Sequence, residues 1–86
     1  MYAITIKQSA AKALAKIDVP QRKRLIEAID KLKTNPTAGS VLKGEFTGLR
    51  RIRIGDYRIV YEVQNEQQVI LVVRVNSVAH RSEVYK

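Results

Sequence analysis

The fold of this chain is decided by a stretch in which apolar and basic residues alternate around a tight turn, Leu49-Arg50-Arg51-Ile52-Arg53-Ile54-Gly55-Asp56-Tyr57-Arg58-Ile59-Val60-Tyr61. A Gly-Asp pair between two such runs is a signal for a two-residue β-hairpin turn. The turn sets the register of the two strands, with Ile54 opposite Tyr57 and Arg53 opposite Arg58. Because successive side chains of a strand point to opposite faces, three isoleucines share one face and three arginines share the other: Ile52, Ile54 and Ile59, and Arg51, Arg53 and Arg58.

The three arginines favour an anion-binding surface. Arg53 and Arg58 would be like charges directly opposite each other, an arrangement that destabilises a sheet. Arginine binds phosphate through a planar fork of donors that stays charged, so a bound phosphate group would explain the pair. The alternative interpretation is a set of surface arginines that pair with Glu62 or with an acidic residue of the C-terminal tail.

Composition narrows the class of protein. The 86 residues predict one domain, residues 1–86, with a single modest core. Sixteen Lys and Arg against eight Asp and Glu give a formal charge of +8, which favours nucleic acid, an anionic surface or an acidic protein as partner. No cysteine and one histidine argue against disulfides and zinc, and we expect neither a metal nor a cofactor. Without an apolar run of 18 residues or a signal-peptide pattern, we expect a cytoplasmic protein that does not contact a membrane.

The rest of the chain predicts a β-α-α-β-β-β order. A first strand covers residues 2–8, and Ser9 is the candidate N-cap of a short helix that runs to about Ile17. A capping-box-like pattern with a proline, residues 18–21, starts a second helix that Asn35-Pro36 ends. After the hairpin, residues 69–73 are continuously apolar and predict an interior strand that is buried on both faces. The expected fold is α+β, with a helical hairpin packed on a mainly antiparallel four-stranded sheet.

The C-terminal tail holds further candidate functional residues. His80 is the single histidine and titrates near neutral pH, although a lone histidine is more often an incidental surface or packed residue. Tyr85 could stack on an unpaired base, or act as a general base if neighbouring cations lowered its pKa from about 10. Taken alone, it would more often be an aromatic residue at the edge of the core.

Residues 49–61 and the ending His80-Arg81-Ser82-Glu83-Val84-Tyr85 closely resemble the RelE branch of the RelE/ParE superfamily of bacterial and archaeal toxins. Leu42-Lys43-Gly44 is similar to a short motif that precedes the basic strand in that family. The resemblance implies a toxin of a type II toxin–antitoxin pair. It further implies that the protein enters the ribosomal A site and cuts mRNA without a metal, by attack of a 2′-hydroxyl on the adjacent phosphate. Its partners would be the ribosome with its rRNA, mRNA and a cognate acidic antitoxin, and promoter DNA only indirectly through that antitoxin.

The same resemblance implies a role for individual residues. Arg51 and Arg53 match two basic residues of the strand before the turn, and Arg58 matches the arginine that stabilises the phosphate. Tyr85 matches the tyrosine proposed to orient or deprotonate the 2′-hydroxyl, and Arg81 matches the arginine of the ending. The chain departs from the family pattern at Ala79, where the best-known member has an arginine with a proposed acid role.

Protonation of the leaving group therefore falls to His80 or Arg81. We favour His80, because an arginine has a pKa far above neutral pH and is a poor proton donor. The superfamily also contains ParE-like toxins that poison DNA gyrase, which is the second functional hypothesis. A basic RNA-binding domain without catalysis is the third.

Overall fold

The computed structural model describes residues 1–41 and 48–77, and within them two helices and five strands form a single layered unit. The elements follow each other as β1 (Ala3–Ile6), α1 (Gln8–Ala15), α2 (Val19–Lys31), β2 (Ser40–Val41), β3 (Leu49–Ile54), β4 (Tyr57–Gln64) and β5 (Val69–Ser77). The α+β class, with a helical hairpin on a mainly antiparallel sheet, is confirmed. The predicted number of strands is wrong, because β2 adds a fifth strand to the sheet.

The strand order across the sheet is β1-β5-β4-β3-β2. The first strand runs parallel to β5, and the other neighbours are antiparallel. The additional strand is short: Ser40 pairs with Arg51 and Val41 pairs with Arg50. Two residues show no alternation of apolar and polar side chains, so the sequence pattern could not reveal this strand.

The β3–β4 hairpin has the predicted register, with Ile54 opposite Tyr57 and Arg53 opposite Arg58. Gly55 has a φ of +58°, a left-handed conformation that glycine adopts without steric cost and that a two-residue turn of this kind requires. The local turn chemistry therefore fixes which side chains of β3 and β4 share a face.

The hydrophobic core lies between the sheet and the two helices. Its largest fully buried side chains come from α2 and the turn after it, from β4 and from β5: Leu25, Leu32, Ile59, Tyr61, Ile70 and Val72. The prediction that β5 lies inside the sheet is confirmed, because β1 and β4 flank it. The prediction that it is buried on both faces is wrong. Ile70, Val72 and Val75 are buried, whereas Leu71 and Val73 are only partly buried.

The first helix begins earlier than predicted, and Ser9 is not its N-cap. Lys7 holds that position. Its N–H donates to the carbonyl of Val72 (2.9 Å), and its own carbonyl accepts from the N–H of Ala11 (2.9 Å). Lys7 thus ends the pairing with β5 and starts the helix at once, which leaves no room for a separate capping residue. The helix ends at Ala15 rather than near Ile17, because the last N–H groups form tighter i→i−3 bonds.

The second helix begins as predicted, with Asp18 at the N-cap position and a proline in the first turn. The Asp18 side chain makes no capping hydrogen bond, so the backbone and the proline define this start. The helix ends at Lys31, and i→i−3 turns continue the chain to Thr34. Asn35-Pro36 therefore ends these turns rather than the helix itself.

Candidate anion-binding site on the outer face of the sheet

The face of the sheet that points away from the helices carries the three arginines predicted from the sequence. Arg53 lies opposite Arg58, and Arg51 lies opposite Val60. Arg51 and Arg53 are exposed, and Arg58 is half-buried. Because directly paired residues of neighbouring strands share a face, the structure brings all three guanidinium groups to one side of the β3–β4 hairpin.

A fourth arginine, Arg74 of β5, joins this surface because of a β-bulge. Tyr61 pairs with Val72, whereas Val60 pairs with Arg74, so Val73 has no partner in β4. The extra residue shifts the alternation of β5, and Val75 follows Val72 as the next side chain in the core. Arg74 is consequently exposed on the same face as Arg58. We call Arg51, Arg53, Arg58 and Arg74 the arginine face.

Sequence analysis missed Arg74. Regular alternation from Ile70 and Val72 would put residue 74 on the core side. The only signal in the sequence was a charge in an otherwise apolar strand. Bulges next to functional sites often redirect a side chain in this way.

Val60 lies in the middle of the arginine face. It is only 9% exposed although it points away from the helices. Its two direct cross-strand neighbours are Arg51 and Arg74, whose aliphatic stems are suited to cover an apolar residue while their charged ends reach water. Val60 thus gives the arginine face an apolar centre between Arg51 and Arg74.

The arginines of this face make no ion pair with an acid among residues 1–41 and 48–77, although Glu62 lies on the same face of β4. The ion pair found among these residues joins the Lys33 ammonium to the Asp30 carboxylate (2.9 Å), on the helix side. The Glu62 carboxylate accepts instead from the Gln64 amide (2.8 Å). Pairing of the arginines with Glu62 is therefore wrong, and pairing with an acidic tail residue lies outside the described residues. Arg53 makes one long contact with the backbone, from its Nε to the carbonyl of Gly55 (3.4 Å).

The buried Tyr61 hydroxyl forms hydrogen bonds at the edge of the sheet beside Arg51. The Tyr61 hydroxyl accepts from the Gly39 N–H (2.9 Å) and donates to the Pro36 carbonyl (2.9 Å). Arg50, on the core side of β3, donates from Nη1 to the Gly39 carbonyl (2.8 Å). A Cβ atom at Gly39 would lie 2.6 Å from the Arg51 carbonyl oxygen, so only glycine permits this close approach of β2 to β3.

The arginine face is an open surface, and the groove between the helices and the sheet lies on the opposite side. A groove of about 340 Å³ runs between α2 and β3, with Leu32, Ile52 and Ile54 in its lining. It lies on the helix side and is separated from the arginine face by the sheet. An exposed, flat set of cations suits an extended polyanion better than a small molecule, which normally binds in a concave pocket.

The predicted tail residues His80, Arg81 and Tyr85 lie outside the described residues, as does the Leu42-Lys43-Gly44 motif. Their roles remain predictions. The helices within the described residues are too short or too polar to span a membrane.

Comparison with known proteins agrees with this fold. Residues 4–85 match the model of the ParE toxins of type II toxin–antitoxin systems (parDE). Among solved structures, the RelE toxin of E. coli is 27% identical, with a TM-score of 0.81 and coverage of 99% of this chain and 92% of that one. The RelE–RelB complex of the archaeon Pyrococcus horikoshii is 31% identical, with a TM-score of 0.76 and coverage of 90% and 94%.

A third structure, the toxin–antitoxin complex RelBE2 of Mycobacterium tuberculosis, has a TM-score of 0.83 at 24% identity and supports the fold alone. It covers 88% of this chain and 96% of the compared chain. A search of curated protein sequences gave no significant match.

The toxin family model matches nearly the whole length of this basic domain. The chain is therefore a toxin of a type II toxin–antitoxin system. The chain belongs to the ParE toxin family, within the RelE/ParE superfamily, and the solved structures that it resembles include RelE toxins.

Proposed function

We propose that this toxin is an endoribonuclease that cuts mRNA in the ribosomal A site and so inhibits translation in the cytoplasm. The observation that carries the proposal is the direct pairing of Arg53 with Arg58 on an exposed surface. Like charges in this position oppose folding, and a phosphodiester between them would compensate the repulsion. The family resemblance of residues 49–61 supplies the reaction that such a phosphate would undergo.

In the proposed reaction the 2′-oxygen of one nucleotide attacks the adjacent phosphorus. The new O2′–P bond forms while the bond from phosphorus to the 5′-oxygen of the next nucleotide breaks, which leaves a 2′,3′-cyclic phosphate. The transition state carries additional negative charge on the phosphoryl oxygens. Arginines fixed on strands are already oriented when this charge develops, so they stabilise the transition state without reorganisation. We assign this role to Arg58, with Arg51 and Arg53 holding the phosphate.

The proton transfers are assigned to the tail. Tyr85 would orient the 2′-hydroxyl or take its proton, and Arg81 would add positive charge near the phosphate. His80 would give a proton to the departing 5′-oxygen. In a His80→Ala variant, the cleavage of ribosome-bound mRNA should slow. The plot of cleavage rate against pH should also lose the decline at high pH that a general acid produces. Cleavage at the wild-type rate would exclude His80 as the acid and leave Arg81 as the remaining candidate.

The toxin would be neutralised by a cognate antitoxin. The complexes from P. horikoshii and M. tuberculosis pair relatives of this chain with such a partner. A formal charge of +8 favours an acidic, partly disordered antitoxin that folds as it binds. Contact with promoter DNA would then be indirect, through the antitoxin.

The decisive experiment is induction of the chain in cells, followed by mapping of mRNA 5′ ends. We expect growth arrest and cuts in phase with codons, and both should be lost in an Arg58→Ala variant. The second candidate is poisoning of DNA gyrase, which the ParE name of the matching family favours. Double-strand DNA breaks and SOS induction with intact mRNA would establish gyrase poisoning instead. No growth arrest with the intact chain would contradict both and favour a non-catalytic RNA-binding protein.

A further inference from the structure

Arg74 is placed on the arginine face by the β-bulge in β5. The bulge at Val73 interrupts the pairing of β4 with β5, and bulges cost regular hydrogen bonding. With regular alternation, residue 74 would face the helices, where an arginine would be buried without a partner. The bulge instead exposes the guanidinium and keeps Val75 in the core.

The position of Arg74 relative to the other arginines suits a second phosphate. Arg58 pairs with Asn76, so Arg74 is its diagonal neighbour on the same face, about 7–8 Å away between Cα atoms. Two strand spacings, roughly 10 Å, separate Arg74 from Arg51. Arg74 therefore extends the arginine face by one strand beyond Arg58, on the side away from Arg51 and Arg53, where it can contact the next phosphate of an RNA strand that crosses the sheet.

We propose that Arg74 binds a phosphate of the mRNA that neighbours the scissile phosphate, and thereby sets the path of the strand across the sheet. The inference rests on the proposed function and extends it. Arg74 is a binding residue in this assignment, and the reacting phosphate stays with Arg51, Arg53 and Arg58. Its guanidinium makes no ion pair with an acid among residues 1–41 and 48–77, so it is available to the strand.

The test measures the affinity of the full-length toxin for programmed ribosomes. One mRNA carries a 2′-deoxynucleotide at the reacting position and therefore cannot be cut, and a second ends before the A-site codon. With the uncleavable mRNA, an Arg74→Gln variant should bind about 10-fold more weakly, which corresponds to about 1.4 kcal/mol, because one charge-assisted hydrogen bond is lost. The slope of log affinity against log salt should fall by about 0.7, the value for one phosphate contact of a single strand.

Two controls make the result specific. An Arg74→Lys variant keeps the charge and should recover most of the affinity and the salt slope. An Arg22→Gln variant removes an arginine of α2, whose Nη1 contacts the Ala15 carbonyl on the other side of the sheet (3.3 Å). It should bind the two programmed ribosomes in the same ratio as the wild type.

Three outcomes would contradict the inference. Wild-type affinity and slope for Arg74→Gln would show that the residue binds no phosphate. Equal weakening on both mRNAs would assign Arg74 to ribosomal RNA instead of the mRNA strand. In both cases the proposed nuclease would stand as long as the wild type cuts mRNA. If the wild type neither distinguishes the two ribosomes nor cuts the cleavable mRNA, the proposed function itself fails.

Discussion

Arg58 and Ile59 are neighbours in β4, but they lie on opposite faces of the sheet and have opposite effects on folding. Ile59 is fully buried against the helices. Arg58 faces outward and lies directly opposite another arginine. The inner face thus collects the residues that make the chain fold, whereas the outer face carries a pair of like charges that opposes folding. The same backbone positions both residues. The packing of the inner face therefore keeps the repelling charges of the outer face in place.

This contrast gives a criterion for assigning a function to residues on an open face of a sheet. An inner-face residue is explained by its burial, and a change there should affect stability first. The positive charge of an arginine on the outer face is not explained by an ion pair among the described residues. Its change should affect activity first and leave stability equal or higher.

The largest effect on stability is expected at the inner face. Ile59→Ala removes a fully buried side chain from the centre of the sheet, and the free energy of unfolding should fall by about 2–5 kcal/mol. Urea unfolding followed by circular dichroism measures this change. Ile26→Ala is the matched control, because Ile26 is 49% exposed on α2. If Ile59→Ala cost no more than Ile26→Ala, the inner face would not be the source of stability.

The largest effect on activity is expected one residue earlier. Arg58→Ala should lower the rate of single-turnover mRNA cleavage by about 100- to 1,000-fold, comparable to removing one donor to a transition-state anion. The urea midpoint should stay equal to that of the wild type or rise, because a repulsive pair is relieved. If Arg58→Ala lost stability as well as cleavage, Arg58 would have a structural role. The two faces would then not differ in what they contribute.

The hairpin and the two faces of β3 and β4 could be predicted from the sequence because their information is local. A Gly-Asp turn sets the register, and the alternation of residues 50–59 then assigns every side chain to a face. The helical hairpin was predictable for a similar reason, since Pro20, two residues after Asp18, marks the start of α2 independently of the rest of the fold.

Arg74 and β2 could not be predicted, because both depend on distant parts of the chain. The bulge that exposes Arg74 arises where the spacing of core residues in β5 must match Tyr61 and Ile59 of β4. The two residues of β2 lie next to β3 because the Tyr61 hydroxyl holds Gly39, 22 positions earlier in the chain. The tail residues His80, Arg81 and Tyr85 were proposed by resemblance, and their roles remain predictions.

Tyr61 tests how far the inner face supports the outer one. Tyr61→Phe keeps the buried ring but leaves the Gly39 N–H and the Pro36 carbonyl without their partner. The free energy of unfolding should fall by about 1–3 kcal/mol, and cleavage should fall less than in Arg58→Ala. Tyr2→Phe is the control, because the Tyr2 hydroxyl bonds the Asn65 side chain at an exposed site (2.6 Å). If the two variants lost the same free energy of unfolding, the hydrogen bonds of the Tyr61 hydroxyl would not stabilise the sheet edge.

The smallest expected effect is a gain in stability at the outer face. Arg53→Thr replaces one of two opposed cations with a residue that favours strands, and it should raise the free energy of unfolding by about 0.2–1 kcal/mol at low salt. The part of the gain that comes from charge should shrink at 1 M salt, where the screening length is about 3 Å. Arg51→Thr is the matched control on the same strand, because Arg51 faces Val60 and not a cation. A gain in stability in both variants would reflect strand propensity alone. If only Arg53→Thr gains stability and also binds programmed ribosomes more weakly, the paired arginines are kept for the phosphate and not for the fold.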